Sequence, residues 1–97
     1  MIEAVKVGGI QYKIIEEPGL MDTGFIGQLR HHRCTIAILA GIDQTAASQT
    51  LLHEIVHAIM HQAGITEQPE NVVDAIAYGL LQVIRDNPNL LEMLLKK

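Results

Sequence analysis

Thr50-Leu51-Leu52-His53-Glu54-Ile55-Val56-His57-Ala58-Ile59-Met60-His61 is the stretch whose reading decides the fold. At its centre, His53-Glu54-Ile55-Val56-His57 is an H-E-x-x-H motif in a setting that reads as helix. An α-helix repeats every 3.6 residues, so His53 and His57 share a face, about 6 Å apart along the axis. Two imidazoles at that separation converge on one zinc ion at roughly 2.0–2.1 Å each. Glu54 is turned about 100° from His53 on the same helix. It therefore stands beside the metal, where it can take a proton from the water that the metal activates.

The flanks support a helix. Ala46, Ala47, Leu51, Leu52, Ile55, Val56, Ile59 and Ala63 supply helix formers and an apolar stripe beside the histidines. Asp43, Thr45 and Ser48 are the candidate caps at its start, Gly64 suits its end, and no proline interrupts the run. The competing reading is a plain amphipathic helix with solvated histidines, and it leaves the motif as an accident.

Upstream the patterning is that of strands. Ala4 to Val7 is a short apolar run, Gly8-Gly9 is a two-residue turn signal, and Ile10, Tyr12 and Ile14 alternate with Gln11 and Lys13. This predicts a β-hairpin with one buried face, ended by Glu16-Glu17-Pro18-Gly19. Leu20 to Thr23 reads as loop. Gly24 to Arg30 reads as a short strand whose two glycines suggest a bulge or a close backbone contact. His31-His32 falls at a turn. Cys34-Thr35-Ile36-Ala37-Ile38-Leu39 is a β-branched, apolar strand, with Cys34 as a small buried residue in it. Adjacent strand residues point to opposite faces, so His31 and His32 do not share a metal. They are either exposed turn residues or, for one of them, part of a substrate groove.

Downstream, Pro69 suits the first turn of a second helix, and Glu67 and Glu70 favour its positive end. Val73, Ile76, Ala77, Leu80 and Ile84 recur at helical spacing until about Asp86. Gly79 lowers helix propensity but lets a neighbouring helix come close. Asn87-Pro88 starts a last helix, Asn89 to Leu95, with Leu90, Leu91, Leu94 and Leu95 expected to pack inward.

A catalytic zinc needs a third protein ligand and one open position. His61 continues the histidine stripe but lies about 12 Å from His53 along a straight helix. Two donors on one zinc are no more than about 4 Å apart. Glu70 and Asp74, four residues apart on the second helix, share a face that a helical hairpin brings against His53 and His57. One carboxylate then binds zinc, and the other accepts the outer N–H of a ligating histidine.

His53-Glu54-x-x-His57 followed by Glu70-x-x-x-Asp74 resembles the gluzincin arrangement of thermolysin-like metallopeptidases. The resemblance makes Glu70 the third ligand and Asp74 the partner of a ligating histidine. In its size and short helix–helix connection the chain is similar to minigluzincins and to the small phage metallopeptidases of the ImmA/IrrE type. Some of the latter cut repressor proteins, which makes a repressor-like protein a candidate substrate. The resemblance also places an edge strand, here Thr35 to Leu39, beside the cleft. It is specific over residues 50 to 81. Pro69 stands where larger gluzincins have Asn, and only Ala75 to Lys97 follows Asp74. The transition-state groups that a C-terminal subdomain brings in that family have one candidate here, Tyr78, against a plain packing or rim tyrosine.

Ninety-seven residues, 48% of them hydrophobic, make one domain with a modest core. The expected fold is α+β and minimal zincin-like. A small N-terminal antiparallel or mixed sheet packs on the motif helix, followed by a ligand-bearing helix and a short C-terminal one. The net charge of −4 argues against a nucleic-acid partner. A single cysteine excludes an intrachain disulfide, and no signal peptide or membrane-spanning run is seen, so a cytoplasmic location is expected. The function expected is zinc-dependent peptide hydrolysis with Glu54 as general base. Its substrate is an extended peptide added along the strand near Arg33 to Leu39. The alternatives are a non-catalytic zincin-fold module that binds a protein partner and a metal-free helical interaction protein.

Overall fold

The structure, a computed structural model, describes residues 1–23 and 25–97, with the side chains of Met21 and Thr23 outside that description. Within these residues four strands precede three α-helices, the α+β order that the patterning predicts. The strands are β1 (Ala4–Val7), β2 (Ile10–Glu17), β3 (Gly27–Arg30) and β4 (Thr35–Leu39). The helices are α1 (Gln44–Gln62), α2 (Glu70–Asp86) and α3 (Pro88–Leu95). Among the described residues no helix is long and apolar enough to cross a membrane.

The hairpin forms as expected, with Val7 paired to Ile10 across Gly8 and Gly9. Both glycines have positive φ, +56° and +82°, as a type I′ turn needs. Gly8 is required twice over, because a Cβ there would lie 1.8 Å from Gln62 Oε1. Gln62, at the end of α1, donates from Nε2 to the Val7 carbonyl at 2.6 Å and so ties the helix to the hairpin.

The sheet is mixed, in the order β1-β2-β4-β3, with β2 and β4 parallel and the outer pairs antiparallel. This corrects one expectation. Thr35–Leu39 is an interior strand with a neighbour on each side, and the edge strand next to it is β3, with β1 at the other edge. Ile36, Ala37 and Ile38 have no exposed surface, which is the reason for their apolar run. The expected strand from Gly24 shortens to Gly27–Arg30, and Gly24 itself lies outside the described residues. Cys34 is not in β4. It holds a left-handed turn conformation, φ 46°, after the 3-10 turn His31–Arg33 that joins β3 to β4.

One sheet face packs on α1 through Tyr12, Ile14, Ile36, Ile38 and Ala58. The other face is covered by a 3-10 turn, Pro18–Thr23, where loop was expected. Leu20 from that turn is 1% exposed and fills the space against Ala37 and Leu39.

Helix α1 thus has apolar contacts on two sides. Leu51, Ile55 and Ala58 meet the sheet, while Leu52, Val56 and Met60 meet Val73 and Ala77 of α2. Asp43 caps its start, accepting from Ala46 N at 2.8 Å. Its end is a Schellman closure: Ile65 N bonds Met60 O, Gly64 N bonds His61 O, and Gly64 has φ +78°. This closure reverses the chain and brings α2 back along α1.

The last third departs from the expectations. No residue of α3 is buried, and Leu91, Leu94 and Leu95 are open rather than packed inward. Ile76 and Leu80 of α2 are also exposed. No neighbour comes within 4 Å of where a Cβ on Gly79 would be, so the close approach expected there is not made within the chain.

Candidate metal centre

Two apolar sides of α1 leave a third sector of the helix, carrying His53, Glu54 and His57, to face the cleft beside α2. Because α2 begins at Glu70 just after the chain reversal, its first turn lies against this sector. Glu70 Oε2 is 2.8 Å from His53 Nε2, and Glu70 Oε1 is 2.9 Å from His57 Nε2. One donor atom from each of His53, His57 and Glu70 lies within 4.8 Å of the other two, so an ion would have to draw the widest pair in to about 4 Å. Among the described residues this is the group able to hold a metal ion.

The outer nitrogens of both rings are fixed. His53 Nδ1–H donates to Asp74 Oδ1 at 2.7 Å. His57 Nδ1–H donates to Gln68 Oε1 at 2.6 Å. Gln68 has no freedom in this, because its Nε2 donates to the Ile65 carbonyl at 2.7 Å and so turns Oε1 to the histidine. With a proton held at each Nδ1, Nε2 is the nitrogen left to ligate, once an ion replaces the proton it shares with Glu70. Two such nitrogens and a carboxylate directed at one point are a donor set that fits a divalent cation. Glu70 is 70% exposed and so closes the site from the solvent side.

Glu54 is beside this set and not part of it. Its Oε2 is 3.9 Å from His53 Nε2, and its side chain is buried. Burial pushes its carboxyl above the usual carboxylate range. The facing charges of His53 and His57 oppose that rise, and those of Glu70 and Asp74 add to it. The burial comes from β3. A Cβ on Gly27 would lie 2.5 Å from Thr50 Cγ2 and 3.0 Å from Glu54 Oε2, so only glycine lets the edge strand come this close. The close backbone contact suggested by the glycines of this segment is therefore made at Gly27.

The cleft has a volume of about 650 Å³ and runs between β3 and the start of α2. Tyr78 and His31 both line it. His31 stacks on His61, ring centroids 3.6 Å apart, so His61 stands at the rim and outside the donor group. Burial lowers the pKa of His31, and His61, His32 and His57 push the same way. Its Nδ1 is buried with no hydrogen-bond partner.

The four residues singled out on the two helices, His53, His57, Glu70 and Asp74, are thus brought together, with Glu54 alongside. Gln68 was not foreseen. Its signal is a polar side chain in the connection, two residues ahead of the carboxylate that reaches the histidines. No family model, curated protein or solved structure matches the chain, so the reading of the site rests on its own geometry.

Proposed function

We propose that the chain is a zinc-dependent peptide hydrolase of gluzincin type, acting on an extended peptide or protein segment, such as one from a repressor-like protein. The observation that carries this reading is Glu54, a buried carboxylate held beside a His-His-Glu donor set and opening on the same cleft. A module that needed a metal only for stability has no use for a carboxylate in that costly position.

His53, His57 and Glu70 would hold the ion, and Asp74 and Gln68 keep the two imidazoles in the ligating tautomer. Zinc held there would supply Lewis acidity, polarising the scissile carbonyl and acidifying water. Glu54 would take the proton of the attacking water and pass it to the leaving amine, from its buried position 3.9 Å from His53 Nε2. The substrate backbone pairs with the open edge of β3, since β4 has both of its edges occupied. Tyr78, which lines the α2 side of the cleft, would donate to the carbonyl oxygen.

The test is Glu54→Gln, which keeps size and shape and removes the base. Hydrolysis in a peptide-library digest should fall about 10²–10⁴-fold, with metal content measured on the same samples unchanged. Equal cleavage by both proteins refutes the reading. No cleavage by either, with zinc fully bound, leaves the scaffold as a binding module.

A further inference from the structure

His31 lines the cleft and stacks on His61, ring centroids 3.6 Å apart, yet its Nδ1 is buried with no hydrogen-bond partner. A buried polar atom without a partner costs stability and calls for a reason. The buried Nδ1 fixes what the other nitrogen does. A proton on Nδ1 would have no acceptor, so a neutral His31 carries its proton at Nε2, and a charged ring carries one there too. In either state His31 offers the cleft an N–H donor. The stack on His61, at an interplanar angle of 23°, holds the plane of the ring.

This donor stands where the edge of β3 runs out. Leu39 N donates to the Ile26 carbonyl at 2.9 Å, so Ile26 bonds inward to β4. Inward and outward residues alternate along an antiparallel ladder. Gly27 and Leu29, opposite Ile38 and Ile36, therefore turn their N–H and C=O groups to the open edge. His31 is next in that alternation, but it lies in the 3-10 turn, and its carbonyl accepts from Cys34 N at 3.2 Å. The row of outward backbone groups ends at Leu29, and the side chain of His31 is the next donor beyond it.

Its level along the cleft follows from α1. Gly27 lies against Thr50 and Glu54, and His31 against His61. The four strand residues from Gly27 to His31 rise about 13 Å. The helix rises about as much from the level midway between Thr50 and Glu54 to His61. Strand β3 thus runs alongside α1, and so does a peptide paired with its edge. His61 is about 9 Å along α1 from the level midway between His53 and His57, which is roughly two to three residues of extended chain. We propose that His31 is a substrate-binding residue that takes over from the β3 edge, its Nε2–H donating to a peptide carbonyl oxygen roughly two to three residues from the bond cut at the metal centre. This role rests on the peptidase reading above and narrows its substrate class. The peptide must extend at least that far on this side, whatever its side chains.

The experiment is a digest of end-capped random decapeptides by the zinc-loaded chain, with cut positions read by mass spectrometry. Melting temperature and zinc content are measured on the same samples. The parent should favour central bonds over bonds within about two residues of one end. His31→Phe keeps a ring on His61 and removes the donor. Its ratio of central to end cuts should fall about 2- to 12-fold, the worth of one neutral hydrogen bond. Its melting temperature should hold or rise, because an unpartnered nitrogen is gone. His31→Gln returns a side-chain N–H and should restore part of the ratio. A purely structural His31 would change cuts at all positions alike. An unchanged ratio in His31→Phe, or a ratio that His31→Gln leaves as low, overturns the role of His31 while the peptidase reading stands. No cuts by the zinc-loaded parent overturns both.

Discussion

Removing Gln68 separates the hydrogen bond behind the candidate metal site from the residues that would ligate the ion. In Gln68→Ala, His57 keeps its place on α1 but loses the acceptor 2.6 Å from Nδ1. Two effects follow. The ring is free to turn, and the proton is no longer confined to Nδ1, so Nε2 is a free donor for only part of the time. A neutral hydrogen bond of this kind contributes about 0.5–1.5 kcal/mol, which converts to a loss of roughly 2- to 12-fold in metal affinity at 1.4 kcal/mol per decade. Asp74→Ala removes a charged acceptor from His53, and charge-assisted bonds are about twice as strong. Its loss should therefore reach the upper part of the roughly 10–100-fold range seen for such outer partners.

The two rings lie 4.8 Å apart and both contact Glu70, so the double variant should depart from the product of the single losses. Gln68→Glu gives His57 the kind of partner that His53 already has, and affinity should rise. The Ile65 carbonyl, which loses its donor in that variant, lies in an exposed connection where water replaces it. The assay is competition for zinc against a chelator of known affinity, at fixed pH, on all four variants and the parent. Gln68→Ala with parental affinity would refute the account of the tautomer. Gln68→Ala with no metal at all would mean that Gln68 holds the helical hairpin together rather than tuning one ring.

Three other outcomes are expected. His57→Ala should abolish metal binding while His61→Ala leaves it within about twofold, because His61 stacks on His31 outside the donor group; a large loss in His61→Ala would place the ion elsewhere. Gly27→Ala should lower thermal stability by about 1–3 kcal/mol through overpacking on Thr50 and Glu54, and Thr50→Ser, which removes the Cγ2 atom, should restore much of it; a wild-type melting curve for Gly27→Ala would mean the edge strand is free to move off α1. Arg30 holds the carboxyl of Glu17 below its ordinary value, so the pair adds stability above the unfolded carboxylate range and loses it as pH falls through the folded value. Glu17→Gln should then lower the neutral side of a stability–pH curve and flatten its acid limb, the two curves meeting at low pH, and an unaltered curve would show the pair to be inert.

The site was legible where helical periodicity carries it. His53, Glu54, His57, Glu70 and Asp74 are placed by spacing on two helices, and a Schellman end at Gly64 is enough to set those helices face to face. Gln68 was not legible, because its position depends on the Ile65 carbonyl that its own amide finds after the chain reversal. The position of β4 was hidden for a different reason. Its apolar run marks a buried strand, but the neighbour that covers its second edge is Gly27-Gln28-Leu29-Arg30, which has little strand character of its own. Leu20 is a lone apolar residue after Pro18-Gly19, and periodicity says nothing about a residue that fills a hole from a 3-10 turn. In α3 the leucines were expected to pack inward, and Leu91, Leu94 and Leu95 are open instead. A stripe in the sequence does not say which surface covers it, and within one chain nothing does.

Helix α1 shows how the fold and the site depend on each other. A helix packed on two sides needs apolar residues over most of its circumference, and this one leaves a single sector free. Any polar residue in that sector is half-enclosed by β3 on one side and α2 on the other. An unpaired carboxylate in such a place is costly, and His53 and His57 lie where their charge offsets part of the cost to Glu54. The two histidines are in turn held by Asp74 and Gln68, which exist at the right height only because α2 returns along α1. Metal-ligand geometry therefore comes from the same packing that stabilises the helical hairpin, through Val56 against Val73 and Ala77. Loosening that contact should weaken the site before any ligand is touched, since donors on two helices stay within 4.8 Å of one another only while the hairpin is closed.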